Sequence, residues 1–256
     1  GKTSLAMNIA ESCALGMSMN NVPIKFDGGK RHPVGVFSLE MPVEALSKRM
    51  IAGRAGINMW RLARNLVPTR EKRDMTNALV AAAGELKQAP IYVDDTASLD
   101  VMDLRARARR MKKRFGIELI VIDYLQLMQG ERKNSDNRVL EVGDISRGLK
   151  ILAKELKIPV ICCAQLSRGP ESRESKKPML SDLRDSGAIE QDADVVMFLY
   201  RSEYYKTDEM SDEDSSIAEV IVAKNRHGST GTVKMGWIGR YTKFRSLANE
   251  GELPDG

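Results

Sequence analysis

Aromatic residues, cysteine and histidine are scarce in this sequence, and long apolar runs are absent. Of its 256 residues, 5% are Phe, Trp or Tyr, three are Cys and two are His. No stretch reaches the ~20 apolar residues of a bilayer-crossing helix. The opening GKTSLAMNIAE has no basic segment leading into an apolar core, so no signal peptide is visible. Three cysteines, two of them adjacent (Cys162, Cys163), cannot build a disulfide framework, which fits a reducing cytoplasm. With only His32 and His227 and no Cys/His cluster, a zinc site is not expected. Gly and Pro are not enriched, and 42% hydrophobic content is too high for a disordered chain.

What is present is charge and alternation. The net charge of +5 permits a nucleic-acid partner without arguing for one by itself. Basic residues cluster at Arg105 to Arg114, Arg168 to Lys177 and Lys224 to Arg226, and acidic ones at Asp208 to Asp214. Hydrophobic periodicity predicts helices over 3–17, from Val43 with Pro42 in the first turn, over 69–88 with Thr69 as cap, over 101–114 capped by Asp100, and over 138–156. It predicts strands at 34–39, 91–95, 118–123, 159–164 and 194–200, then at 217–223, 231–238 and 242–247. Alternating β and α units imply an α/β fold with a mostly parallel central sheet flanked by helices, and an antiparallel β extension at the C-terminal end. Residues 17–33 and 203–216 read as exposed loops, so residues 1–256 are expected to form one domain.

Five features carry chemistry. Gly1, Lys2 and Thr3, followed by Ser4, match the end of a phosphate-binding loop. There, backbone amides at a helix start cradle phosphate, Lys reaches the outer phosphates, and Ser or Thr holds magnesium. Taken alone, three residues are a weak signal. In ELIVID, four apolar residues lead to Asp123, the arrangement of a strand-end carboxylate that reaches magnesium through water. An Asp in an ordinary closing turn is the alternative, and the upstream GKT tips the balance. Glu40, after VGVFSL, is placed to act as general base or to stabilise the next helix start. Gln165 follows the strand PVICCA, as a phosphate sensor or a surface residue. Lys224 and Arg226 lie between two predicted strands, where cations stabilise phosphoryl charge or merely a solvated turn.

Taken together these residues resemble the helicase domain of DnaB-type replicative helicases, which are RecA-like P-loop NTPases. The resemblance rests on GKTSLAMNIAE, FSLEMP, IVIDYLQLM, ISRGLKILAKEL, CAQLSRG, LSDLRDSGAIEQDADVVMFLYRSEYY and AKNRHGSTGTV, in the family's order from residue 1 to about 247. The run SDLRDSGAIEQDAD with YRSEYY is specific to that family and not generic to P-loop proteins.

The resemblance implies an ATP-hydrolysing DNA helicase with ATP and Mg2+ as cofactors. It implies a homo-hexameric ring moving 5′ to 3′ on single-stranded DNA, with primase and a helicase loader as partners at the replication fork. Lys2 and Thr3 match the phosphate-loop lysine and the magnesium ligand, and Asp123 the strand-end aspartate. Glu40 matches the catalytic glutamate, and Gln165 the glutamine linking nucleotide state to the DNA loops. Arg226, with Lys224 beside it, matches an arginine finger acting on the adjacent subunit's ATP. Arg184, Asp185 and Gly187 match the segment that contacts the DNA backbone.

Three departures stand out: Asp185 where Glu is usual, Ala164 where Ser is frequent, and a longer link at 18–33, for which an exposed hairpin is the bland expectation. The family's N-terminal helical domain, linker and front of the phosphate loop have no counterpart among these residues, which are expected to be a fragment. The 256 residues alone are therefore expected to bind ATP poorly and to be inactive. Polar, basic and aromatic-poor, SRGPESRESKKP and the stretch holding Arg132, Lys133 and Arg138 read as loops tracking a phosphate backbone and not stacking on bases. Arg105, Arg109 and Lys112 read as a solvated or subunit-facing surface. Two rivals remain: another RecA-like ATPase (a recombinase or a clock-type protein), and a nucleotide-dependent single-strand DNA-binding module.

Overall fold

A computed structural model describes residues 1–25, 27–64, 68–129, 138–167, 173, 175–202 and 215–247. Seven helices and eight strands are defined among them. They run α1 (Lys2–Leu15), β1 (Val34–Ser38), α2 (Val43–Ala55), α3 (Met59–Ala63), α4 (Thr69–Lys87), β2 (Ile91–Asp94), α5 (Val101–Phe115), β3 (Leu119–Asp123), α6 (Arg138–Leu156), β4 (Val160–Cys162), α7 (Gly187–Asp192), β5 (Val195–Tyr200), β6 (Ser215–Asn225), β7 (Gly231–Ile238) and β8 (Lys243–Ser246). The first four strands form a parallel sheet of order β2-β1-β3-β4, and the last four an antiparallel sheet of order β5-β6-β7-β8. The expected antiparallel extension is thus a sheet of its own.

The parallel sheet is covered on both faces, which is why β1 and β3 are continuous apolar runs with every residue buried. On one face α1 packs Ala6, Ala10 and Ala14 against Val34, Val36, Leu119 and Val121. Alanine at a spacing of four presents a smooth ridge, so the helix approaches the sheet closely. On the other face α5 and α6 cover Phe37, Ile120 and Ile122 with Leu104, Ala108, Ile145 and Leu152. Each of these buried Phe, Leu and Ile side chains contributes about 1.5–3 kcal/mol. Gly35 in β1 is there for space: a Cβ would stand 2.9 Å from Ile117 Cδ1 and 3.3 Å from Met111 Sδ.

The antiparallel sheet leans on α1. Trp237 and Phe244 pack with their rings tilted by 49° and 4.6 Å between centroids, with Leu5 and Leu199 against them. Asn8 Oδ1 accepts the Phe244 backbone N–H at 2.8 Å, joining α1 to β8.

Local signals explain most boundaries. Asp100 caps α5 as expected, its carboxylate accepting from Asp103 N at 2.7 Å. Thr69, expected as a cap, instead lies inside α4, and Pro68 is the boundary residue. Pro42 likewise stands just before α2, whose first amide is met by Asp95 Oδ2 at 2.9 Å. β4 is shorter than expected, at Val160–Cys162. Residues 17–33 include a small antiparallel bridge, Met17 to Pro23.

The basic helix α5 is less solvated than its sequence implies. Arg105 and Arg109 both bind Glu155 of α6, Arg107 binds Asp94 at 2.9 Å, and Lys112 Nζ donates to Ile117 O at 2.8 Å. These cations fasten α5 to its neighbours. Arg132 and Lys133 lie outside the described residues, as do Arg168 and the loop at 203–214.

Candidate active site

Ligands of parallel α/β sheets bind beyond the carboxyl ends of the strands, and that edge gathers several of the expected residues. β1 and β3 pair in register so that Ser38 lies beside Asp123, and Leu39 N donates to Asp123 O at 2.8 Å. Both side chains are buried, at 2% and 3% exposure. Ser38 Oγ is satisfied by Met41 O at 2.7 Å, but Asp123 Oδ2 has no hydrogen-bond partner. A buried carboxylate oxygen without a partner is costly, so a cation or water has a place there.

Lys2 and Thr3 open α1 at the same edge, with Gly1 as the N-cap and Ser4 buried behind them. Cys163, just past β4, feels both sides of the cluster. Burial and the Asp123 carboxylate push its thiol up to about 12, against a smaller opposing effect of Lys2. Lys2 and Asp123 are therefore within electrostatic reach of one point. The threonine hydroxyl and the unpartnered Oδ2 of Asp123 suit a divalent cation such as Mg2+, and the lysine ammonium suits the phosphate that such a cation accompanies.

Glu40 is exposed, two residues past β1. The alternative reading, an acid serving the start of α2, is weakened by the structure, because Asp95 meets the first amide and Glu44 lies in the first turn. Gln165 is exposed too, but its backbone is held from both sides. Gln126 Nε2 donates to Gln165 O at 3.1 Å, and Gln165 N donates to Gln126 Oε1 at 3.0 Å. Sequence reasoning misses Gln126. Its position in the turn Leu125–Leu127, directly after Asp123, is the signal that could have found it.

Arg184 and Asp185 lie in a 3-10 segment, Leu180–Ser186, and Gly187 starts α7. Gly187 has a helical φ of −53°, and a Cβ there would meet nothing within 4 Å, so neither conformation nor packing in this chain demands glycine. Asp182, also missed from sequence, anchors that segment. Its Oδ2 accepts Met179 N at 2.7 Å, and both its oxygens accept from Arg173. Arg173 comes from the predicted backbone-tracking loop, so in this arrangement one of that loop's cations is held by the protein itself.

Lys224 and Arg226 sit apart from the strand-edge cluster, at the end of β6. Arg226 N donates to Asp194 O at 2.8 Å, just before β5. The phosphate-loop end lies near the other end of β5, since a Cβ on Gly1 would touch Leu199 Cδ2 at 3.0 Å. Five residues of strand from Asp194 to Leu199 span about 17 Å at ~3.3 Å each.

A lysine and threonine at a helix start, a strand-end aspartate, and a parallel sheet with an antiparallel sheet attached are the features of a RecA-like fold of the P-loop class. One solved ATPase domain superposes with a TM-score of 0.76 at 39% identity, over 85% of this chain and 75% of that one. A DnaB-like replicative helicase, solved with its interactions with primase, gives 0.78 at 36%, over 94% of this chain and 56% of that one. A KaiC-like protein of Pyrococcus horikoshii, 16% identical with a TM-score of 0.54, shares the fold alone. The sequence model of the DnaB-like helicase C-terminal domain matches residues 1–246, and the chain belongs to that family. Replicative DNA helicase DnaB of Geobacillus stearothermophilus is 44% identical over 259 residues, covering 100% of this chain and 53% of its own length. Replicative DNA helicase DnaC of Bacillus subtilis is 44% identical over 247 residues, covering 96% and 50%. The chain thus spans about half the length of the curated relatives it matches.

Proposed function

We propose that this chain is the motor of a replicative DNA helicase, hydrolysing ATP between copies in a six-membered ring and moving 5′ to 3′ along single-stranded DNA. The observation that carries the reading is the buried, unpartnered Asp123 oxygen beside Ser38, with Lys2 and Thr3 opening α1 at the same strand ends. Thr3 and Asp123, the latter through water, would hold Mg2+, which when bound neutralises phosphate charge. Gly1, Ser4 and Lys2 bind the phosphates. Glu40, exposed at the strand edge, takes a proton from the attacking water. Gln165, its backbone fixed by Gln126, reports the phosphate state to the DNA segment.

The position of Arg226 supports action on a neighbouring copy. It lies about 17 Å along β5 from the chain's own phosphate-loop end, and its guanidinium points to Asp194 and Gln191. No arginine side chain spans that distance in reverse. Arg184, Asp185 and Gly187 contact the DNA backbone, and the unneeded glycine at 187 leaves room for a close approach. The residues form one motor domain working at the replication fork in the cytoplasm, with primase and a loader as partners. The DnaB-like helicase solved with primase supports the first of these.

The test uses the protein with a complete phosphate-binding loop. Glu40→Gln is expected to lower ATP turnover about 10²–10⁴-fold while ATP binding persists. Turnover at the native rate would remove Glu40 from the role of base.

A further inference from the structure

Both cations assigned to the finger end on one small patch of the same chain. Lys224 Nζ donates to Glu190 O at 2.5 Å, and Arg226 Nη2 donates to Gln191 O at 3.2 Å. These carbonyls belong to the last turn of α7, where a helix leaves acceptors unpaired and favours positive charge. Arg226 Nη1 donates to Asp194 Oδ1 at 3.0 Å. The other oxygen of Asp194 binds Lys150 of α6. One carboxylate therefore joins the finger to the helix layer of the parallel sheet.

We propose that Asp194 is a positioning residue for Arg226: anchored by Lys150, it holds the finger at its backbone N–H and at guanidinium Nη1, keeping the side chain in one orientation from which it turns to the neighbouring copy's phosphate. The inference rests on the finger assignment above. Arginine is long and has many rotamers, and a transition-state contact needs one of them. Asp194 supplies that restraint twice, through its side chain to Nη1 and through its backbone carbonyl to Arg226 N. Lys150 and, to a smaller degree, Arg226 and His227 hold the Asp194 carboxyl below its usual range, so it stays ionised at neutral pH. The same patch adjoins the proposed DNA-contact segment, because α7 begins at Gly187, two residues after Asp185.

Arg226 and Asp194 are each nearly half exposed, at 46% and 45%, so their pairing is individually weak and the expected effect is moderate. In the protein with a complete phosphate loop, Asp194→Asn should lower kcat for ATP about 3–10-fold and leave KM within twofold, the signature of a contact made in the transition state. Arg226→Ala alone should lower kcat by about 10³–10⁵. Adding Asp194→Asn to it should change kcat less than twofold, since a positioning residue has nothing left to position. A merely structural role would instead multiply the two losses. Thermal unfolding of Asp194→Asn is expected within a few degrees of the parent. Arg226→Ala with undiminished turnover would overturn the finger assignment and this inference with it. An inactive Arg226→Ala beside a fully active Asp194→Asn, or losses that multiply, would overturn the positioning role alone.

Discussion

The helix that carries Lys2 and Thr3 is pinned by a buried charge cluster, and one carboxylate decides its sign. Glu11 on α1 binds Arg54 Nη1 of α2 at 2.9 Å, with side-chain exposures of 9% and 7%. Lys243, at the start of β8 and 6% exposed, donates to Asn21 Oδ1 at 3.2 Å and is attracted by Glu11. Arg54 also binds Glu85 of α4, a residue 55% exposed. Glu11→Gln keeps the shape and one acceptor but leaves two buried cations facing each other. Breaking a buried pair costs roughly 3–5 kcal/mol. The retained acceptor and Glu85 offset part of this, so the expected loss is about 2–3 kcal/mol. Glu85→Gln, removing an exposed partner, should cost about 0–1 kcal/mol. Urea unfolding at neutral pH measures both. The pH dependence adds a second check. Burial, opposed first by Glu11, lowers the Lys243 ammonium below its ordinary value of 10.5. A cation depressed in the folded state weakens the fold at neutral pH, and that penalty lifts as pH rises toward 10.5. Without Glu11 the depression deepens, so the variant should regain more stability than the parent between neutral pH and about pH 10. A Glu11→Gln protein within about 1 kcal/mol of the parent at neutral pH, or one with the parent's pH profile, would refute the reasoning.

Two further outcomes follow from the geometry. Gly148 in α6 has no room for a side chain, since a Cβ would stand 2.4 Å from Val101 Cγ1. The overpacking of about 1–3 kcal/mol outweighs the gain of about 1 kcal/mol in helix propensity, so Gly148→Ala should lose stability in urea, and Val101→Ala should rescue it. His32 bridges Asp27 at 2.6 Å and Glu118 at 2.5 Å, and the hydrogen bonds its ring donates to Glu118 and then to Asp27 raise its pKa above 6.5. Its stabilising contribution is full below pH 6.5 and lost as pH rises through the raised value, so the parent's melting temperature should fall across that range more than that of His32→Gln.

The strand ends were legible in the sequence because the signals there are local. Four apolar residues before Asp123 read as a buried strand, and β1 and β3 are indeed fully buried with Ser38 and Asp123 in register. Asp100 as a cap was legible for the same reason. What escaped depends on long-range pairing. Arg105 and Arg109 look like free surface charge until Glu155, 50 and 46 residues later, is brought alongside. That carboxyl is drawn down to about 2 by the two guanidiniums, Arg109 first. Asp194, Asp182 and Gln126 escaped likewise, because each works on a partner that only the fold supplies: Arg226 across the first pair of the antiparallel sheet, Arg173 within the loop, and the backbone of Gln165.

The same long-range pairing joins the two halves of the proposed machine. Lys2 opens α1, and Asn8, two turns along, holds the Phe244 backbone. β8 pairs with β7, β7 with β6, and β6 ends beside Arg226. Hydrogen bonds therefore run unbroken from the helix that would grip one nucleotide to the arginine that would act on the next. A shift of α1 on its sheet must either strain that ladder or carry the finger along. The Glu11 cluster sits on this route, between α1, α2 and β8. Weakening it should therefore disturb the hand-over between sites before it disturbs either site, and cooperativity in ATP turnover should fall at urea concentrations where Glu11→Gln is still folded.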